Sequence, residues 1–340
     1  MVSKLIKTSG ILVFILCVLT AESQTTATEM YLRGNVSKLY TYRHAAKNIV
    51  IENNTLVSYE KEKLLHHVDY IFDKNGLLLA ENRFDNQDII NLSYIYEYDE
   101  FGRLIETTIA ASGKILHGRT EYKYDKNGKK IKELVYDDKD ELKTTTSYEY
   151  DSLGNLAVEK AYNKMNRLIK DVHYQHDERG NIVFANSTKI NIVAKEPYQE
   201  VQKFNDKNKL IYKSFTSSDT LKWEYFASYG KNDSLIYEEV KDGTGKLLSY
   251  SKLTFDKKNR RISLKQYQST ALWFGWETYY QYDKKGKLIA ETSYTSNKEL
   301  FLTERTYFYD EKGNWIYYVE KDKMNNVYYV YYRKFVYYLC

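Results

Sequence analysis

The chain has 340 residues, with 51 basic and 46 acidic side chains and a formal charge of +5. The two signs are interleaved and form no basic block, which argues against nucleic-acid binding. The 36 tyrosines, the single proline and an aromatic content of 16% argue against disorder and for pleated, half-buried surfaces.

The opening stretch, MVSKLIKTSGILVFILCVLTAESQ, places Lys4 and Lys7 before an apolar run from Ile11 to Leu19, then the small-residue site Ala21-Glu22-Ser23. That order is the signature of a secretory signal over residues 1–23, with cleavage after Ser23. The run is shorter than the ~20 apolar residues of a comfortable membrane span. Removing Lys4, Lys7 and Glu22 takes the charge from +5 to +4. The chain is therefore expected in the periplasm, at the outer-membrane surface or outside the cell. Lipid attachment at Cys17 is the lesser reading, because Leu16 stands where a small residue is wanted. Without Cys17 only Cys340 remains, so stability has to come without an internal disulfide.

Residues 24–64 form an N-terminal segment with a degenerate repeat, and 65–340 a tandem array. Asp73, Asp99, Asp125, Asp151 and Asp177 recur every 26 residues, continuing as Asp206, Gly230, Asp256, Asp283 and Asp310. Three places on stand Gly76, Gly102, Gly128, Gly154, Gly180, Gly286 and Gly313. Asp opening a type I turn and Gly supplying a left-handed residue describe a three-residue hairpin loop with a bulge. Asp233 and Asn259 tolerate the glycine position. After Asp206 it would fall on Lys209, so Asn208 is the better left-handed residue and a loop one residue shorter is expected. Tyrosines at positions such as Tyr96 and Tyr98 share a strand face. Aliphatic residues three places after the glycine position, such as Leu79, Ile105, Ile131, Ile236 and Ile289, are expected to pair with them across the hairpin.

A second turn interrupts each unit, at Asn86-Gln87-Asp88, Ser112-Gly113-Lys114, Asp138-Lys139-Asp140, Asp242 to Gly245 and Ser296-Asn297-Lys298. Ten units then yield about 20 strands, and the tail YYVYYRKFVYYLC adds a last one. Around residues 186–202 the spacing lengthens and Pro197 appears, marking a soft boundary. The fold expected is all-β: an antiparallel meander of tandem β-hairpins, twisted or rolled into an open, shell-like sheet. A membrane barrel is rejected, because Lys130, Lys132 and Glu133 put charge on both faces of one strand.

Tyr96, Tyr98, Asp99, Gly102, Arg103 and Leu104 spell Tyr-x-Tyr-Asp-x-x-Gly-Arg-Leu, which resembles the YD repeat of RHS-repeat proteins. The resemblance spans roughly residues 65–335, and the chain looks like a small exported YD-repeat protein of Bacteroidetes type. It implies a continuous hairpin sheet, which large members of the family spiral into a shell around a toxin domain. Others are adhesive or carbohydrate-associated. The period of about 26 is longer than the usual unit, and neither the shell-ending proline motif nor a toxin domain is recognisable.

The repeated Asp and Gly residues read as turn formers, not as a site. Calcium needs six to eight gathered oxygens, which one Asp per turn does not supply. His66-His67 and His173/His176 lie at odd spacings that point to opposite strand faces, so no metal is expected. No cofactor is expected, and no nucleophile–base pair or phosphate loop stands out, so no enzyme is expected. Trp273, Phe274 and Trp276 cluster at a turn that is polar in other units. They are the candidate ligand-binding residues, suited to stacking on a glycan or anchoring an envelope protein. Covering of the sheet face is their plainer reading, and Trp223 and Trp315 read as packing. The functional expectation is an exported, non-enzymatic binding or scaffold protein of the cell envelope, not embedded in a membrane. A structural envelope component and a toxin-associated immunity or chaperone shell are the alternatives.

Overall fold

A computed structural model of the chain describes residues 30, 32, 35–52, 55–111, 114–187, 197–269, 275–295, 301–322 and 325–338. Among these the only regular structure is strand. A long first hairpin is made by β1 (Val36–Glu52) and β2 (Thr55–Phe72). Next come β3 (Leu78–Phe84), β4 (Ile90–Tyr98), β5 (Leu104–Ala111), β6 (Lys114–Tyr124), β7 (Lys130–Tyr136), β8 (Leu142–Tyr150), β9 (Leu156–Asn163) and β10 (Leu168–His176). The series continues through β11 (Ile182–Ser187), β12 (Tyr198–Phe204), β13 (Leu210–Ser217), β14 (Thr220–Tyr229), β15 (Leu235–Asp242) and β16 (Leu247–Phe255). It ends with β17 (Arg261–Gln268), β18 (Gly275–Tyr282), β19 (Leu288–Thr295), β20 (Phe301–Tyr309), β21 (Trp315–Asp322) and β22 (Val327–Tyr337).

Each strand pairs antiparallel with the next, and β22 pairs with β1 in the register Leu39 to Phe335, Tyr42 to Tyr332 and Ala46 to Tyr328. The 22 strands therefore close into one barrel, and the open, shell-like sheet expected from the repeats is corrected. The ten marked units supply β2 to β21. The degenerate first unit and the aromatic tail supply β1 and β22. Their pairing removes the last two rows of unpaired backbone N–H and C=O groups, which an open sheet would leave as sticky edges.

Among the described residues, fourteen turns share one hydrogen-bond pattern. At Asp99 the backbone N–H donates to the Arg103 carbonyl at 3.0 Å, and the Gly102 N–H donates to the Asp99 carbonyl at 2.9 Å. Gly102 has φ 76°. The Asp99 carboxylate accepts the N–H groups of Phe101 and Arg103 at 3.0 and 2.9 Å. It thus ties both sides of the loop to one oxygen. Asp73, Asp125, Asp151 and Asp177 do the same, and Asp283 and Asp310 accept the N–H four places on. Gly76, Gly128, Gly154, Gly180, Gly286 and Gly313 share the positive φ, as do Asp233 and Asn259.

Two local expectations fail. Asn208 is left-handed at φ 62°, but its turn opens at Asn205 rather than Asp206 and keeps the common loop length. The shift places Phe204 immediately ahead of the turn, preserving the aromatic position. The aliphatic residues three places after the glycine are also not the cross-strand partners of the tyrosines. Register slips by one after each turn, so that Tyr98 opposes Leu104, Glu97 opposes Glu106, and Ile105 is left between. Leu79, Ile131, Ile236, Ile262 and Ile289 occupy this bulged place and remain 36–39% exposed. Mid-unit turns at 85–89, 137–141 and 242–246 follow the common pattern. Ser112-Gly113 and Ser296-Asn297-Lys298 lie outside the described residues. Across the proposed soft boundary, β11 and β12 pair from Phe184–Val201 to Ser187–Tyr198.

The register carries one set of side chains round the whole ring. Tyr94, Tyr96 and Tyr98 share a face with Glu133, Thr146, Tyr148, Glu159, Val172, Tyr174, Glu200, Thr278, Glu291 and Arg305. Small residues on this face, such as Ser187 and Thr278, are buried, whereas Ile95 on the other face is 42% exposed. Inside a closed sheet side chains converge and screen one another, so the tyrosine face is the inner one. On the outer face, the bent β1–β2 hairpin packs Ile49, Leu56 and Tyr59 against Phe308, Val319 and Val330, clasping the seam from outside.

Candidate binding face and seam cavity

Six of the ten repeat turns are preceded by a tyrosine, which can do what the phenylalanines Phe72, Phe204 and Phe255 in the same place cannot. Its hydroxyl donates to the carbonyl at the start of the previous strand, beside the bulge. The contacts run Tyr98 to Leu78 at 2.8 Å, Tyr124 to Leu104 at 2.7 Å, Tyr150 to Lys130 at 2.7 Å, Tyr282 to Arg261 at 2.8 Å and Tyr309 to Leu288 at 2.7 Å. Neighbouring hairpins are thereby fastened through side chains as well as through the ladder.

Farther along the inner face, tyrosines, carboxylates and cations pair with one another. Glu159 accepts from Lys170 at 2.5 Å and from the Tyr174 hydroxyl at 2.9 Å. Glu133 accepts from Lys130 and from the Tyr148 hydroxyl, both at 3.1 Å, and Arg305 joins Glu320 at 2.6 Å to Glu291 at 3.3 Å. Burial, reinforced by neighbouring glutamates, holds these phenols protonated. It pushes Tyr198 up to about 12, with Glu200 adding to the rise. Burial and then Glu159 raise Tyr174 further. The interior is thus a polar lining whose charges are largely matched.

Some inner cations meet rings instead of carboxylates: Arg261 lies 4.3 Å from the centre of the Tyr280 ring. Arg333 projects from β22 on the inner face opposite Thr41, beside the last repeat turn at 310–314. It lines a cavity of about 520 Å³ together with Met30, Leu32, Asn314 and Trp315. Its guanidinium carbon lies 3.7 Å from the centre of the Trp315 ring. Its Nε is buried with no hydrogen-bond partner. Burial lowers its pKa to about 10, against the opposing effect of Tyr70 and Tyr318. Arg43 on β1, whose Nε is likewise buried without a hydrogen-bond partner, reaches Glu320 at 3.6 Å.

His66 and His67 point to opposite faces, as their adjacency requires. Buried His67 lies between Asp69 at 2.7 Å and Asp88 at 2.5 Å, and its ring stacks between Tyr42 and Phe84. Asp88 arrives from a mid-unit turn, so chain spacing gave no sign of this cluster. Among the described residues no group of three His, Cys, Asp or Glu is arranged to hold a metal.

Trp273 and Phe274 lie outside the described residues. Trp276 is half-buried on the inner face, with Gln266 and Thr295 as its cross-strand neighbours. Trp223 stacks on Phe215 with ring centres 5.7 Å apart. Trp315 touches Tyr318 at 5.3 Å but also walls the cavity. Pro197 is exposed, and its carbonyl accepts the Ser217 hydroxyl at 3.1 Å. Sequence reading missed Arg333. The available signal was a cation set among the tyrosines of YYVYYRKFVYY, on a strand position that faces inward only because the tail closes the ring.

No family model matches the chain, and no curated relative matches it. Among solved structures, similarity extends to the complex TcdB2-TccC3-Cdc42, at 12% identity and a TM-score of 0.30, covering 75% of this chain and 16% of that one. The chain thus spans about a sixth of that relative's length. A porin-like protein from Bacteroides uniformis aligns at 10% identity and a TM-score of 0.30, over 88% of this chain and 98% of that one. A second, from Bacteroides vulgatus, aligns at 8% identity and a TM-score of 0.23, over 90% and 99%. Likeness this distant transfers no function.

Proposed function

We propose that the chain is an exported, non-enzymatic binding or scaffold protein of the cell envelope, a water-borne closed barrel of YD-like repeats. The observation that carries the reading is charge at mid-strand on both faces of a closed ring. The inner face carries Glu133, Glu159, Lys213 and Arg305; the outer face carries Arg119, Lys132, Lys160 and Glu277. An Arg or Lys facing lipid at the bilayer midplane costs ~2–4 kcal/mol each, so neither face supplies the apolar band of a membrane barrel. The secretory order of the first 23 residues and the YD-like units support export and a repeat scaffold. A matched lining of tyrosines, carboxylates and cations suits hydrogen bonding to a polar ligand or a protein surface.

The test is to express the chain with its own leader, fractionate the cells and wash the membranes at alkaline pH. The expected result is a processed protein in the periplasmic, surface or culture fraction that the wash releases. Retention in the membrane after washing overturns the reading. Glycan arrays and envelope-protein pull-downs on the purified chain, repeated with Trp276→Ala, then separate binding from pure scaffolding.

A further inference from the structure

Two strands separate each repeat turn from the next, so the meander delivers every repeat turn to one rim of the barrel and every mid-unit turn to the other. Neighbouring repeat turns touch along their rim. Arg179 donates to the Asp206 carbonyl at 2.7 Å, Lys207 meets Asp233 at 2.8 Å, and the Ser234 hydroxyl donates to Asn259 at 2.9 Å. The carboxylates of Asp256, Asp283 and Asp310 bond to their own loops, so the rim presents mainly the two residues at each turn tip. From β12 to β21 those tips carry Lys231, Lys257, Lys258, Lys284, Lys285 and Lys312, all exposed, besides the paired Lys207. The exposed acids among the same tips are Asp206 and Glu311. With the whole turns counted, residues 205–209, 230–234, 256–260, 283–287 and 310–314 hold ten cations and six acids, a net +4. The five turns before them, at 73–77, 99–103, 125–129, 151–155 and 177–181, hold five cations and seven acids. That other half of the rim instead carries the two most exposed large apolar side chains among the described residues, Leu153 at 83% and Phe101 at 73%. Asn75, Asn127 and Asn232 fill the same place in other turns, so the loop itself does not call for an apolar residue there. On the opposite rim, exposed Ile89 and Met165 lie among acidic turns: 85–89 and 137–141 hold six acids against Lys139.

We propose that the repeat-turn rim docks on an anionic phospholipid bilayer, with the lysine arc on the headgroup phosphates and Phe101 and Leu153 dipping into the interface across the ring. Successive tips stand roughly 10 Å apart, about one Debye length at 0.1 M salt, so the lysines act jointly on a charged surface. Each lysine near such a surface strengthens binding about fivefold. Cations combined with exposed apolar side chains are what holds a protein in the interfacial layer. A linear polyanion could follow the lysine arc but would leave Phe101 and Leu153, on the turns between β4 and β5 and between β8 and β9, without a role. The acidic mid-unit rim faces away from the lipid. Contact of this kind is peripheral and goes beyond the function proposed above: an alkaline wash that strips the barrel from membranes leaves it intact.

The test sediments the mature chain with vesicles of phosphatidylcholine alone or of phosphatidylcholine mixed with phosphatidylglycerol. The chain is expected to bind the mixed vesicles at least about tenfold more tightly, and to be released when salt rises from about 0.05 to about 0.5 M. Lys257→Gln, Lys258→Gln, Lys284→Gln and Lys285→Gln combined are expected to lower that affinity at least about tenfold. Phe101→Asn with Leu153→Asn is expected to weaken binding while keeping the preference for phosphatidylglycerol. Lys139→Gln with Lys164→Gln, on the other rim, is expected to change nothing. Other turns already carry Ser152 or an asparagine at the substituted rim positions, so circular-dichroism melts of the rim variants should match the parent. Equal binding to the two kinds of vesicle overturns the proposal, as does full affinity in either folded rim variant. Tighter binding to soluble alginate than to the mixed vesicles assigns the lysine arc to a polysaccharide and overturns it too.

Discussion

Replacing Tyr124 by phenylalanine isolates the hydroxyl that fastens one hairpin to the previous one. The ring, its contact with the Arg103 guanidinium at 4.9 Å and its place on the inner face are kept. The 2.7 Å hydrogen bond to the Leu104 carbonyl is lost. A neutral hydrogen bond of this kind contributes about 0.5–1.5 kcal/mol net, and more when a half-buried acceptor is left without its donor. Tyr98, Tyr124 and Tyr150 sit on alternate strands, roughly 10 Å apart, so their effects are expected to add. The triple Phe variant should then lose roughly 1.5–4.5 kcal/mol. Urea denaturation followed by circular dichroism measures this, with the m-value unchanged because the surface exposed on unfolding is the same. Tyr250→Phe is the control: that ring stacks on Tyr267 with centres 5.7 Å apart on the outer face, and its loss should stay within about 0.5 kcal/mol. A triple variant whose midpoint matches the control refutes the claim that these hydroxyls fasten neighbouring hairpins.

Two glycines separate crowding from backbone strain. Gly118→Ala would place a Cβ 1.8 Å from the Tyr136 carbonyl oxygen, while Gly245→Ala meets nothing within 4 Å and bears only its φ of 85°. Thermal melts should show Gly245→Ala losing ~1–2 kcal/mol and Gly118→Ala clearly more; equal losses would remove crowding as the cause. Acid should loosen the turns. Asp137 is held down at about 2 by the Lys143 ammonium and then by the Glu141 N–H, and Asp151 and Asp177 are lowered by bonds from Asn155 and Asn181. A carboxylate whose folded pKa lies below its unfolded value stabilises fully above the unfolded value, 3.8 here, and less as pH falls through the folded one. Melting temperature should therefore hold down to about pH 4 and drop toward pH 2, less steeply in Asp137→Asn; a flat profile contradicts the assignment. Truncation after Asp322 removes β22 and leaves β1 and β21 as edges. Light scattering should find oligomers or aggregate, and a stable monomer would show that closure is dispensable.

The repeat itself was legible because its parts are local. An Asp that accepts two backbone N–H groups and a left-handed residue three places on need only five consecutive residues, so Asp99-to-Arg103 declares its turn without any neighbour. The same locality made Asp233 and Asn259 recognisable as glycine substitutes. The Asn205 turn was misplaced by one because Asn and Asp stand side by side and both open such turns. Which aliphatic residue pairs with the tyrosine was misjudged at Ile105, since the slip in register exists only once two strands are laid together. Closure was out of reach for a similar reason: nothing in β1 or β22 alone says that Leu39 meets Phe335, and the pairing depends on curvature accumulated over the strands between. That closure decides which face is inside. It turns Tyr96, Glu159 and Arg305 into a lining, and sets Arg333 against the Trp315 ring beside a cavity. Hydrogen-bonding geometry within a few residues wrote the unit; only the ring, joining residues some 300 positions apart, made an interior.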